Sequence, residues 1–164
     1  MARALIVGCG CRGRELGAAL GASGWQVRGT TRDRRRAAEI ERAGVEPALA
    51  DPAAAGTVLD AIEGVAIVYW LLGSAAGDEE NLRAIHGTSL EALLERLVDT
   101  PVRGLVYEGA GGVENDVLDA GARVARAASE RWRIPVEVLT TEPDDRAAWL
   151  GAALAAGERA LLQR

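Results

Sequence analysis

The chain has 164 residues, 49% hydrophobic and 26% charged, with a formal net charge of −5 and a pI near 5.0. At roughly 150 residues per domain that is a single domain, residues 1–164, too short for a dinucleotide fold plus a full substrate domain and too apolar for disorder. A mildly acidic chain argues against nucleic acid or anionic membrane as a partner, so any anion site has to be local. All 19 basic residues are arginine, and no chemistry that needs a lysine amine can run here. The longest apolar run, 65–72, is too short to span a membrane, and the run at 4–7 is too short for a signal-peptide core. Cys9 and Cys11 are too close for an ordinary disulfide, and two cysteines are few for a secreted scaffold. A reducing, cytoplasmic setting is expected.

In chain order, 4–7 is a continuous apolar run that reads as a strand buried on both faces. A helix is predicted over 15–22, closed by Gly24, and a second strand over 27–31. A helix over 33–43 precedes Gly44, a natural position after a helix end. A short strand at 47–50, a short helix at 57–62 and a fourth strand at 65–72 follow. The longest predicted helix covers 78–98, where Leu82, Ile85, Leu90, Leu93, Leu94 and Leu97 form one apolar stripe. A strand at 102–107, a helix at 116–131, a strand at 134–139 and a helix at about 144–162 complete the pattern. Strict strand–helix alternation predicts an α/β fold: a three-layer, doubly wound parallel sheet of six strands in the order 3-2-1-4-5-6 (a Rossmann fold), with no separate substrate domain.

Gly8-Cys9-Gly10-Cys11-Arg12-Gly13 is G-x-G-x-x-G between the first strand and the first helix. That is the context the dinucleotide fingerprint requires. Gly8 permits the tight turn, Gly10 lets backbone approach a pyrophosphate, and Gly13 lets the helix pack on the sheet. Free amides at the helix start, Cys11 among them, then meet the phosphates. At the end of the second strand, a cofactor lacking a 2′-phosphate usually meets Asp or Glu; here stand Thr30, Thr31 and Arg32. Arg34, Arg35 and Arg36 follow in a first helical turn, where cations oppose the helix dipole unless an anion is near. The reading is NADP(H) in preference to NAD(H), with Arg32 as the main partner of the 2′-phosphate and Arg12 as a second. Asp51 is either an acceptor for the adenine amine or a turn residue before Pro52. Leu72 and Gly73 are expected to bring backbone up to a ribose.

These stretches resemble atypical short-chain dehydrogenase/reductase proteins of the NAD-dependent epimerase/dehydratase type. The resemblance continues through Gly87-Thr88-x-Leu90-x-Ala92-Leu93-Leu94, through 105–113, and through 135–139 with Glu142-Pro143. It implies NAD(P) bound across the C-terminal edge of the sheet. The family's Ser or Thr falls on Gly109-Ala110, its tyrosine near Glu114, its lysine near Leu118, and its asparagine ahead of Gly-Thr on Ala84. The cofactor residues carry over and the catalytic set does not, so the catalytic residues are unknown.

Other residues carry two readings each. Cys9 and Cys11 are a redox-sensitive loop, or small side chains tolerated in a glycine turn. No metal site is expected from two cysteines and one histidine. His86 is packed or at the surface, rather than catalytic. Tyr69 and Trp70 wall the pocket or belong to the core. Glu108 and Glu114 flank the glycine-rich loop at 109–112 and read as solvated loop residues. Trp132 and Trp149 read as packing or contact residues. The functional reading is a cofactor sensor or binding protein, expected as a homodimer through the helices at 78–98 and 116–131. The alternatives are an NADPH-dependent oxidoreductase or epimerase-like enzyme using other residues, and an interaction module that has lost its cofactor. Whether the chain is an enzyme stays open at the level of sequence.

Overall fold

The structure, a computed structural model, describes residues 2–163. Its strands are β1 (Arg3–Val7), β2 (Gln26–Thr31), β3 (Glu46–Leu49), β4 (Val65–Trp70), β5 (Gly104–Glu108) and β6 (Val136–Leu139). They form one sheet in the order β3-β2-β1-β4-β5-β6, every pair parallel. The helices are α1 (Cys11–Ala22), α2 (Ala37–Arg42), α3 (Ala55–Leu59), α4 (Glu79–Ile85), α5 (Thr88–Leu97), α6 (Asn115–Trp132) and α7 (Arg146–Leu162). This is the doubly wound architecture that the alternation implied.

Side chains alternate across the sheet, because successive residues of a strand point to opposite faces. Ala4, Ile6, Ile67, Tyr69 and Val106 face one core with Leu16, Ile40, Trp149 and Ala153 of α1, α2 and α7. Leu5, Val7, Val68, Trp70, Leu105 and Tyr107 face the other, with Val58, Leu90, Leu94 and Ala125 of α3, α5 and α6. Tyr69 and Trp70 are therefore core residues, one on each face, and do not wall a pocket. Burial pushes the Tyr69 hydroxyl up to about 12, helped by the charge of Glu158.

The helix predicted over 78–98 is two helices, and the longest helix is α6. The break falls at His86 and Gly87. A β-carbon on Gly87 would lie 2.7 Å from the Arg83 carbonyl oxygen. The chain turns there so that His86 points inward, 1% exposed. Its Nε2 lies 2.9 Å from the Leu72 carbonyl, which can only accept, so Nε2 carries the proton. Nδ1 then accepts from the Tyr107 hydroxyl at 2.7 Å. The Trp70 indole donates to the Ile85 carbonyl at 3.1 Å, satisfying one of the groups the broken helix leaves free. The helix predicted over 33–43 also divides, into a 3-10 turn at Arg34–Arg36 and then α2. The first helix starts four residues earlier than expected, at Cys11, immediately after the glycine turn.

Burial holds the His86 ring below its ordinary 6.5, although the bond to Leu72 opposes this. A folded state that prefers the neutral ring has the full benefit above 6.5 and loses it as pH falls toward the folded value. Because His86 is the only histidine, its ring protons give one readable NMR titration. The expected midpoint is below 6.5; a midpoint at or above 6.5 would contradict the buried, doubly bonded ring.

Candidate functional site

An open cleft of about 830 Å³ lies at the C-terminal edge of the sheet. Its walls are the glycine loop 8–13, the segment 30–36, Ala50 and Pro52 after β3, and Leu71, Leu72 and Ser74–Ala76 after β4. It sits where the strand order reverses between β1 and β4, the expected crevice of such sheets.

The glycine loop is built as a cradle. Gly8 has φ +84°, and a β-carbon there would lie 2.5 Å from the Leu71 carbonyl oxygen. Gly8 N donates to Thr30 Oγ1 at 3.3 Å and Cys9 N donates to the Thr30 carbonyl at 3.1 Å, which pins the loop to β2. Arg14 N is the first amide of α1 with a helical partner, the Gly10 carbonyl at 2.8 Å. The amides of Cys11, Arg12 and Gly13 therefore have no partner within the helix, and no acidic residue stands in its first turn. A β-carbon on Gly10 would meet nothing within 4 Å. The loop thus offers open space in front of free amides at a helix start, which fits a diphosphate.

The end of β2 carries the charge. Thr31 Oγ1 accepts from Asp33 N at 3.1 Å, and the Asp33 carboxylate accepts from Arg35 N and pairs with the Arg35 side chain at 3.1 Å. Those bonds, with the nearby arginine charges, hold Asp33 below its usual carboxylate range. Arg35 is neutralised locally. Arg32, Arg34 and Arg36 are exposed along the cleft, and among the described residues no carboxylate pairs with them. Asp51 makes a turn contact, its Oδ1 accepting from Ala53 N at 2.9 Å, and its neighbours Ala50 and Pro52 line the cleft. The Ser89 hydroxyl donates to the Pro52 carbonyl and ties this wall to α5.

One expectation is corrected at β5. Glu108 is not a solvated loop residue; it is the last residue of the strand and 0% exposed. It shares a face with Val106, so it points toward α1 and α7. Its Oε1 accepts from Gly73 N at 2.8 Å, and its Oε2 accepts from the Trp149 indole at 2.9 Å. Arg12 reaches across with a guanidinium nitrogen 3.5 Å from Oε2, its centre 5.5 Å from the Trp149 ring. Arg12, expected as a second partner of the 2′-phosphate, lines the cleft and pairs with Glu108. Burial pushes the Glu108 carboxyl up, while Arg12, Gly73 N and Trp149 pull it back part of the way. A lone acid in an otherwise apolar strand, in phase with the Val106 face, is the signal the sequence offered. Its buried partners were not readable from spacing.

Gly73 does not line the cleft, although Leu72 does. It lies against the loop after β5, where Val113 N donates to its carbonyl at 2.9 Å and Gly112 N donates to Ser74 Oγ at 3.0 Å. A β-carbon on Gly73 would overlap the Ala110 carbonyl oxygen. Glu114 is exposed just before α6. Cys9 is buried, its thiol pushed up to about 11 by burial, and Cys11 is exposed on the cleft with an Arg146 guanidinium nitrogen 3.8 Å from its sulfur. Both are free. Among the described residues no group of three or more His, Cys, Asp or Glu could hold a metal ion, and no helix is long and apolar enough to cross a membrane.

A protein-family model described as NAD(P)H-binding matches residues 8–137. No curated protein matches the sequence. Among solved structures, the chain is similar to vestitone reductase from alfalfa (Medicago sativa L.), with TM-score 0.65, 16% identity, and 85% of this chain covering 56% of that one. It is similar to a short-chain dehydrogenase/reductase superfamily protein from Agrobacterium tumefaciens with bound NAD, with TM-score 0.68, 18% identity, and 84% of this chain covering 48%. It is also similar to the Citrobacter sp. triphenylmethane reductase complexed with NADP(H), with TM-score 0.64, 17% identity, and 86% covering 49%. The chain spans about half the length of these structures.

Replacing Glu108 with Ala strands two buried donors, Gly73 N and Trp149 Nε1. Each unsatisfied donor costs about 1–3 kcal/mol, so Glu108→Ala should lose about 2–6 kcal/mol in denaturant unfolding. Glu108→Gln, which keeps an acceptor, should lose less. Wild-type stability in Glu108→Ala would contradict the buried network.

Proposed function

The chain belongs to the NAD(P)H-binding family, and from that premise we propose that it binds NADP(H) in preference to NAD(H) without the hydride chemistry of short-chain dehydrogenases. The observation that carries this reading is the row of exposed arginines at the end of β2, Arg32 foremost, where Thr30 and Thr31 stand in place of an acid. The free amides of Cys11, Arg12 and Gly13 would hold the diphosphate, and Arg32 would hold the 2′-phosphate. Arg34 and Arg36 add to the local field that draws a phosphate in.

When bound, the cofactor's nicotinamide supplies a hydride donor or acceptor. Productive transfer also needs a group that moves a proton at the substrate. There is no lysine in the chain. Glu108 has both oxygens occupied beneath Trp149. The Tyr107 phenol is spent on His86, and burial, with the charges of Glu108 and Asp119, pushes it far above neutrality. These residues support a binding or sensing protein over an enzyme.

The same reading includes a symmetric homodimer. A second, smaller cleft of about 290 Å³ lies on the outer side of α5 and α6, where half-buried Val124 and Trp132 sit between Glu91, Arg123 and Arg131. Acid on α5 and arginine on α6 complement each other under a two-fold axis. Light scattering at tens of micromolar should give twice the 17.2 kDa chain mass; a monomer there would contradict the dimer.

The cofactor preference is tested by calorimetry on Arg32→Ala. A charge-assisted contact is worth about 1.5–3 kcal/mol, so NADPH should bind roughly one to two decades more weakly while NADH changes little. Equal loss for both, or tighter NADH binding by the unmodified protein, would overturn the preference. NADPH absorbance should stay flat across ketones, aldehydes and quinones. Turnover near 1 s⁻¹ would overturn the non-catalytic reading.

A further inference from the structure

A dinucleotide on a doubly wound sheet lays one nucleotide over each half, with the diphosphate at the start of α1 between them. The two halves of this site differ. Over β1, β2 and β3 the cleft is open, with free amides, exposed arginines and the wall at Ala50 and Pro52, and it reaches as far as Leu71, Leu72 and Ser74–Ala76 after β4. Over β4 and β5 the loops are joined to each other. Gly73 N donates to Glu108, Val113 N donates to the Gly73 carbonyl, and Gly112 N donates to Ser74 Oγ.

These loops are at backbone contact. A β-carbon on Gly73 would overlap the Ala110 carbonyl, and one on Gly111 would overlap the Gly73 carbonyl. Among the described residues, none after β5 lines the cleft. Arg12 adds a strut above the junction, running from the glycine loop over Trp149 to Glu108, across the ends of β1, β4 and β5. The strut and the stitched loops thus bound the cleft at the sheet edge on the side of the second nucleotide.

We infer that the site grips its ligand by the adenosine 2′-phosphate and the diphosphate alone, leaving the nicotinamide ring in water, so that it reads the 2′-phosphate and not the redox state of the ring. This rests on the NADP(H) preference proposed above and says which part of that ligand is recognised. The ligand class is a 2′-phosphorylated adenine nucleotide with a 5′-diphosphate.

The test is calorimetric titration of the full chain with NADPH, NADP+, 2′-phospho-ADP-ribose (the same nucleotide without nicotinamide) and NAD+. The first three should bind within about threefold of one another and NAD+ at least tenfold more weakly, while the emission wavelength of bound NADPH stays that of the free molecule. NADPH or NADP+ binding more than tenfold tighter than 2′-phospho-ADP-ribose, a difference of about 1.4 kcal/mol, would overturn the inference and leave the NADP(H) reading standing. NAD+ binding as tightly as NADP+ would overturn the NADP(H) reading and the inference with it. So would failure of all four to bind.

Discussion

The buried carboxylate of Glu108 is the constraint on which the rest of the site depends. One side chain joins four elements: β5, which carries it, the loop after β4 through Gly73, α7 through Trp149, and α1 through Arg12. Taking a carboxylate out of water is costly unless cation and donors compensate it. Here the cation comes from the glycine loop itself. The geometry of the glycine loop and the joining of the loops after β4 and β5 are therefore set by the same side chain. α7 is further held to α1 by the ion pair of Arg146 with Glu15.

A second buried network works on the opposite face of the sheet. His86 bonds the Leu72 carbonyl and the Tyr107 hydroxyl, and Gly121 of α6 packs so close to that hydroxyl that a β-carbon would overlap it. Leu72 lines the cleft and its neighbour Gly73 meets Glu108. The loop after β4 is thus fixed from both faces, by a neutral imidazole below and a carboxylate above. A wall held in this way is preorganised, and preorganisation limits the entropy lost when a ligand binds.

The sheet order, both core faces and the glycine cradle were legible in the sequence. They depend on local pattern: apolar runs, strand–helix alternation, and glycines at fixed offsets. The place of Arg32 beside the cleft was legible for the same reason, because it follows directly from the end of β2. What spacing could not give were contacts made across the fold. Glu108 meets Gly73, Arg12 and Trp149 at separations of 35, 96 and 41 residues, so reading it as solvated followed its loop neighbours instead of its strand phase. The break at His86 was hidden by leucines that keep helical spacing on both sides of it. Asp51 carried two roles in sequence, and the structure shows its turn contact to Ala53 N.

The distinction between a site that handles nicotinamide and one that handles a phosphorylated adenosine comes down to which protons of the ligand lie against protein. Saturation-transfer NMR of NADP+ with the unmodified chain reads that directly. The adenine H2 and H8 protons should receive strong saturation, and the nicotinamide ring protons should remain near the level of a free ligand. Nicotinamide protons saturated as strongly as those of adenine would contradict recognition through the adenosine 2′-phosphate and the diphosphate alone.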